Sequence, residues 1–356
     1  MKHKFLLFII LISAFINAQA FRNYSNEFLN IGVDAAALGM SKAVVAKTNN
    51  VNSGYWNPAG LVGIEDYQGS LMHSSYFAGI ANYNHAAFAM PIDKESALGV
   101  SIIRFGVDDI LNTTALIDND GNIDFNRISL FSAADYAFNF SYARNLIFKD
   151  LKLGVNAKII RRIIGDFAAS WGFGFDIGLQ FEKKSWKFGI MARDITTTYN
   201  SWAIDKEEFE SIRNAIPSQN QELPENTEIT KPKLQIGVAK DWRIGRFFNL
   251  QSEFDLNIRF EQTNDVFSSE LASIDPALGL QLDYEKLMYL RLGIGNFQYT
   301  KEFDNSKSLS TQPNFGVGFK YKGIQVDYAL TNIGSVGDAL FSNIFSLTFD
   351  YSFFRR

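Results

Sequence analysis

The strongest constraint in this chain is a two-residue alternation of apolar and polar side chains that returns, segment after segment, from about Asp66 to the C-terminus. Trp171, Phe173, Phe175, Ile177, Leu179 and Phe181 interleave with Gly172, Gly174, Asp176, Gly178, Gln180 and Glu182. Leu250, Phe254, Leu256, Ile258 and Phe260 do the same against Gln251, Glu253, Asp255, Asn257, Arg259 and Glu261. Successive side chains of a strand point to opposite faces, so each segment reads as a strand with one greasy and one polar face. Roughly fourteen such segments can be counted, starting near Asp66, Ala81, Ser96, Arg127, Leu151, Ala169, Ser185, Lys233, Phe247, Ser273, Met288, Pro313, Ile324 and Ile344. Many run about ten residues, the length a tilted strand needs to cross a bilayer. All seven prolines fall in connections or at strand starts, where a missing N–H is tolerated.

The connections alternate too. Pro91–Glu95, Leu146–Asp150, Lys183–Lys184, Arg243–Arg246, Glu285–Leu287 and Lys322–Gly323 are short, whereas Val107–Asn126, Thr197–Pro232, Gln262–Ala272, Thr300–Gln312 and Asn332–Asn343 are long. Short turns at one end and long loops at the other describe an outer-membrane barrel with both termini periplasmic. A soluble sandwich would also alternate, with its greasy face inward. The even strand count, the glycines and carboxylates sharing the polar face, and a last strand ending Phe345, Leu347, Phe349, Tyr351, Phe353 select the barrel. The expected fold is therefore all-β, a 14-stranded antiparallel transmembrane barrel. On that reading Arg at Phe319 or Phe349 should hinder insertion, and Arg at Ser346 or Asn257 should be tolerated.

Composition excludes the other large classes. Mean hydropathy is −0.06, and no run approaches the ~20 apolar residues of a spanning helix. With 33 Phe the chain is too aromatic for disorder, and 34 Lys+Arg against 38 Asp+Glu gives no basic excess for nucleic acid. Cysteine is absent, which removes disulfides and thiolate metal sites. Lys2 and Lys4, the apolar run from Phe5 to Ile16, and Asn17-Ala18-Gln19-Ala20 have the layout of a secretory signal peptide over residues 1–20. The chain then divides into an N-terminal segment, 21–65, and the barrel, 66–356.

The N-terminal segment does not alternate. It reads Phe28-Leu29-Asn30-Ile31-Gly32-Val33-Asp34-Ala35-Ala36-Ala37-Leu38-Gly39-Met40 and, after Ala43 to Ala46, Tyr55-Trp56-Asn57-Pro58-Ala59-Gly60-Leu61. Alanine runs favour short helical turns, and Asn-Pro and Gly punctuate them. This pair of stretches just behind a leader resembles the PorV/PorQ family of Bacteroidota outer-membrane proteins, itself part of the wider FadL-like barrels. The resemblance implies that the segment folds into the barrel as a plug built on Gly39, Met40, Trp56, Asn57, Pro58 and Gly60. It also implies a non-enzymatic accessory of type IX secretion, whose partners are the translocon channel and exported proteins. The alternative is a FadL-like channel for small hydrophobic compounds, which would need an apolar pocket against the plug and a gap in the wall.

Few residues suggest chemistry. Asp118-Asn119-Asp120-Gly121-Asn122-Ile123-Asp124 misses the EF-hand register and reads as a hairpin turn. His73 and His85 lack any nucleophile-elbow motif, so no enzyme, metal or cofactor is expected. Arg161-Arg162 reads as a charged rim that could meet glycolipid phosphates. In the longest loop Ile204, Phe209, Ile212 and Ile216 recur at helical spacing, predicting a short amphipathic helix ending before Pro217. Phe209, Ile212 and Ile216 are the partner-binding candidates.

Overall fold

The computed structural model describes residues 25–117, 122–148, 150–215, 226–301, 306–331 and 341–351. The leader over 1–20, Ile216 and the Asp118–Gly121 turn lie outside the described residues. The strands are β1 Gln68–Tyr76, β2 Ala81–Pro91, β3 Ser96–Asn112, β4 Ser129–Asn145, β5 Leu151–Ile164, β6 Ala168–Lys183, β7 Trp186–Arg193, β8 Thr198–Ile204, β9 Thr227–Thr230, β10 Lys233–Ile244, β11 Phe248–Arg259, β12 Phe267–Ser268, β13 Ser273–Tyr284, β14 Met288–Lys301, β15 Lys307–Tyr321, β16 Ile324–Thr331 and β17 Ser342–Asp350. Every pairing is antiparallel, and β1 pairs with both β2 and β17, so the sheet closes on itself. The ring passes from β7 directly to β10 and from β11 to β13, which makes it a closed barrel of fourteen strands.

Alternation sets the two faces. In β6, Trp171, Phe173 and Phe175 point out and are exposed, while Gly172, Gly174 and Asp176 point in and are buried. Phe345 and Leu347 of β17 face out as the last-strand pattern implied. Aromatic residues gather on the outer face at the short-turn end, among them Tyr67, Tyr142, Trp186, Trp242, Tyr284 and Tyr321. An apolar band bounded by an aromatic girdle is the exterior that a bilayer demands of a barrel.

The strands differ from the sequence expectation where they leave that band. The loop expected over Thr197–Pro232 carries β8, β9 and a helix, α3, over Lys206–Ala215. β8 pairs with β6 beyond the end of β7, and β9 pairs with β8, so the wall continues outward past two interruptions. One is Asp194–Thr197, where Asp194 (φ 55°) and Thr197 (φ 59°) take left-handed backbone, and the other is Lys231–Pro232. β15 begins at Lys307, so Pro313 lies inside a strand instead of at its start. The ladder tolerates it because a bulge between Gly295 and Gln298 of β14 already breaks the pairing beside it.

Residues 26–64 sit within the ring. They form short turns, including α1 Ala35–Leu38, α2 Ser53–Trp56 and a 3₁₀ helix over Pro58–Gly63. Inward side chains from around the barrel bind their backbone. Asp255 accepts the N–H groups of Val44 (3.0 Å) and Val45 (3.2 Å), and Glu253 accepts that of Ala46 (2.6 Å). Gln180 donates to the carbonyls of Val45 (3.2 Å) and Thr48 (2.9 Å), and Asn156 donates to that of Gly54 (2.6 Å). Ser346 accepts from Ala35 N–H at 3.1 Å. These contacts satisfy irregular backbone that lies outside the sheet ladder, the condition for holding such a segment inside a barrel wall.

Candidate functional site

The filled lumen is the candidate site, and its inward glycines explain how the segment fits. A Cβ at Gly154 would overlap the Pro58–Ala59 peptide, and one at Gly293 would overlap the Met40–Ser41 peptide. Backbone meets backbone there, which only glycine permits. Met40 also packs on Gly279, Gly39 on Gly316, and Asn57 on Gly178. Gly39, Met40, Asn57, Pro58 and their neighbours are thereby brought together with the wall. Trp56 is buried and donates its indole N–H to the Val33 carbonyl at 3.1 Å, within the segment itself. Gly60 packs against the Thr48 carbonyl and Ser53, also within the segment.

The inner wall has two characters. From β6 round to β16 it is charged. Lys158, on β5, reaches across to Asp176 (2.8 Å) and Asp194 (2.6 Å), all three side chains buried. Arg291 pairs with Asp327 at 2.7 Å with both nearly inaccessible, and Arg193 donates to the Tyr55 carbonyl at 2.9 Å. Across β17 to β5, toward the long-loop end, the inner face is apolar. Ile344, Met72, Tyr76, Tyr83, Ile103 and Ile160 are buried there against Phe28, Val33, Leu38 and Trp56, with Leu29, Ile31 and Phe105 half-buried beside them. The expectation that Arg is tolerated at Ser346 is corrected at this point. Ser346 is buried and bonded to Asp34 and Ala35, so Arg there has no room, because the segment fills the space.

Open volume is uneven. Cavities beside Tyr55 and Arg193 hold only about 20 and 80 Å³. Below the segment, at the short-turn end, a vestibule of about 750 Å³ is lined by Lys47, Lys187, Arg291, Lys320, Asp34 and Asp350. Inside the segment, burial pushes the Asp34 carboxyl up to about 6 and the Lys47 ammonium down to about 8.

The remaining candidates are dispersed. His73 faces out and bonds Asn84 at 2.8 Å, whereas His85 is buried on the inner face, so the wall separates them. Arg161 faces out against Trp171, but Arg162 turns in to Asp135 (2.8 Å) and Glu228 (3.0 Å), which splits the expected rim pair. Phe209 is half-buried on α3, and Ile212 belongs to the same helix. Sequence reading missed the apolar inner sector. Its signal was present as doublets, Ile102-Ile103 and Ile159-Ile160, that make both faces greasy, and as Asn82-Tyr83-Asn84, which turns the alternation inside out.

No family profile matches the chain, and no curated protein matches it. Solved structures do. A Pseudomonas aeruginosa FadL homologue aligns over 90% of this chain and 98% of its own, with a TM-score of 0.51 and 10% identity. The CymD monoaromatic hydrocarbon channel aligns over the same shares at TM-score 0.53 and 12% identity, as does the Pseudomonas putida toluene transporter TodX at 0.53 and 10%. At such identity the likeness shows the fold alone: these proteins share the closed antiparallel barrel architecture of this chain.

Proposed function

We propose that this chain is an outer-membrane channel for small, largely apolar compounds, with residues 26–64 as its plug and both termini in the periplasm. The apolar inner sector between β17 and β5 carries the reading. A pore for ions or sugars has no use for Tyr76, Tyr83, Ile103 and Ile160 on its inner wall. Here they are covered by Phe28, Leu29, Ile31 and Val33 of the segment, so its withdrawal would present an apolar track to a ligand. The charged sector could not serve, since its groups are tied to one another and to the segment. That solved proteins of this architecture include hydrocarbon channels supports the same choice. The translocon and exported-protein partners implied by the N-terminal resemblance rest on that resemblance alone.

The test uses the absence of native cysteine. Ala35→Cys/Ser346→Cys, oxidised to a direct disulfide, fixes the segment to β17. Uptake of labelled toluene and of a labelled long-chain fatty acid is followed in cells whose own channels of this kind are deleted. Wild type should raise uptake, and the crosslinked variant should return it to background until the link is reduced. No gain from wild type, or equal uptake through the crosslinked form, would refute the channel.

A further inference from the structure

The sector whose inner face is apolar is also the sector whose outer face is polar. One line of register partners crosses five strands, His73 of β1, Asn84 of β2, Arg104 of β3, Tyr136 of β4 and Arg161 of β5, and ends beside Trp171 of β6. All lie on the outward face, where a charged side chain in contact with hydrocarbon is costly and therefore marks a function. The row is internally ordered. His73 bonds Asn84 at 2.8 Å, Arg104 Nε donates to the Tyr136 hydroxyl at 3.3 Å, and the Arg161 guanidinium lies 4.9 Å from the Trp171 ring centre.

Arg104 shows which way the row looks. Its guanidinium lies over Gly106, whose missing side chain makes the room, and reaches Asp108 at 2.7 Å. Both neighbours are farther toward the long-loop end, so the charge reaches toward the membrane surface. The wall is also low here. The β1–β2 hairpin closes in Phe77 and Ile80, both exposed, and so ends in apolar residues suited to the interface.

On the other side of the row, toward the short turns, the same strands are apolar and concave. Leu71, Ala86 and Ile102 follow the row directly and floor a hollow of about 700 Å³. Beyond it Phe88, Val100, Phe140 and Phe175 line a second of about 430 Å³. A polar, basic row above two stacked apolar hollows is complementary in shape and charge to an anionic amphiphile. Five strands at the usual spacing give a footprint about 19 Å wide, enough for several acyl chains side by side.

We propose that the outer wall of β1–β5 is a binding site for a phosphate-bearing lipid of the outer leaflet, its phosphate on Arg104 and Arg161 and its chains in the hollows beneath. The proposal rests on the orientation given with the proposed function, long loops outward, but not on transport through the lumen, so it can fail or hold separately from the channel.

The probe is a bisphosphorylated lipid A-type glycolipid, with its dephosphorylated form as comparison, each doped into phosphatidylcholine nanodiscs holding the full chain. Lipid retained on the barrel after stripping is counted by native mass spectrometry. Wild type should retain the phosphorylated form selectively. Arg161→Gln and Arg104→Gln/Asp108→Asn, which removes that ion pair as a unit, should each cut the selectivity about fivefold. Lys240→Gln, between Trp186 and Trp242 on the far wall, should leave it unchanged. Equal retention of the two lipids by wild type, selectivity surviving in both arginine variants, or capture of a protein instead of lipid by a photocrosslinker at Leu71 would overturn the site. Arg161→Gln alone decides the matter should the double variant not insert.

Discussion

Asn57 is the residue through which docking of the N-terminal segment can be measured. It is fully buried and stands before the Pro58–Gly63 turn with its backbone extended (φ −158°). Its side-chain oxygen caps Ala59 N–H at 3.2 Å, and its amide donates to the carbonyls of Val45 (2.9 Å) and Leu179 (3.1 Å). Asn57→Ala removes a cap worth ~0.5–2 kcal/mol and two hydrogen bonds worth ~0.5–1.5 kcal/mol each. The total, ~1.5–5 kcal/mol, falls on the docking of residues 26–64 and not on the strand ladder, whose pairings Asn57 does not join. At tenfold per ~1.4 kcal/mol the undocked population rises about tenfold to about 4,000-fold. Hydrogen exchange read by mass spectrometry should show that acceleration across 26–64, with amides of β5 and β6 unmoved and heat-resistant migration on gels retained. Unchanged exchange in the segment would show that the motif is decoration. A uniform rise through the strands would show that segment and barrel are one cooperative unit, against the division argued here.

Three further outcomes follow from the same geometry. Phe315→Arg, well inside the apolar band, should cost insertion ~2–4 kcal/mol. At Phe319 the structure revises the expectation from the alternation: the residue stacks beside Tyr321 near the short turns, so Phe319→Arg should cost only ~0–1 kcal/mol, as read by refolding yield into vesicles. Lys158→Met leaves Asp176 and Asp194 buried without their cation and should lose ~3–5 kcal/mol in urea unfolding. The triple change that also makes both aspartates Asn should recover most of it. Asp34 binds its proton more tightly docked (about 6) than free (3.8), so its contribution to docking is complete below pH 3.8 and lost as pH rises through about 6. Asp34→Asn should therefore raise the melting temperature at pH 7 relative to wild type and leave it level at pH 3.5.

Lipid writes the alternation, and the sequence is legible where lipid touches the wall. Trp171 to Phe181 of β6 and Leu250 to Ile258 of β11 lie against the apolar band, so hydropathy alone set their faces and nearly their ends. Beyond the band that contrast ends. Lys307 to Gln312 of β15 is polar but for Leu309 and buried only at Gln312, and the inner face of β8 is polar at Thr198 and Asn200 although buried there, so both stretches read as loop. The inner sector was hidden for a related reason: periodicity reports a contrast between faces, and at Ile102-Ile103 and Ile159-Ile160 there is none. Glu253 and Asp255 were visible as lumen carboxylates. Their partners, three consecutive backbone N–H groups of Val44 to Ala46, are some 200 residues away and have no signature of their own.

The motif pair that carried the family resemblance has a physical meaning that separates it from cargo. Gly39 meets Gly316, Met40 meets Gly279 and Gly293, Asn57 meets Gly178, and the Pro58–Ala59 peptide meets Gly154. Four of the six motif positions, Gly39, Met40, Asn57 and Pro58, are halves of a contact whose other half is an inward glycine, on β5, β6, β13, β14 or β15, while Trp56 and Gly60 brace the segment internally. The motif therefore encodes how an irregular segment is seated against a closed sheet, and any barrel that seats its N-terminus this way needs the same residues, whatever it transports or binds. Specificity has to be written elsewhere. In this chain two sets on β1 to β5 lie outside the glycine contacts: Tyr76, Tyr83, Ile103 and Ile160 inside, which pack on the segment, and His73, Asn84, Arg104 and Arg161 outside, which face away from it. Substitutions in the outer row should leave the segment docked, and substitutions at the glycine contacts should undock the segment first.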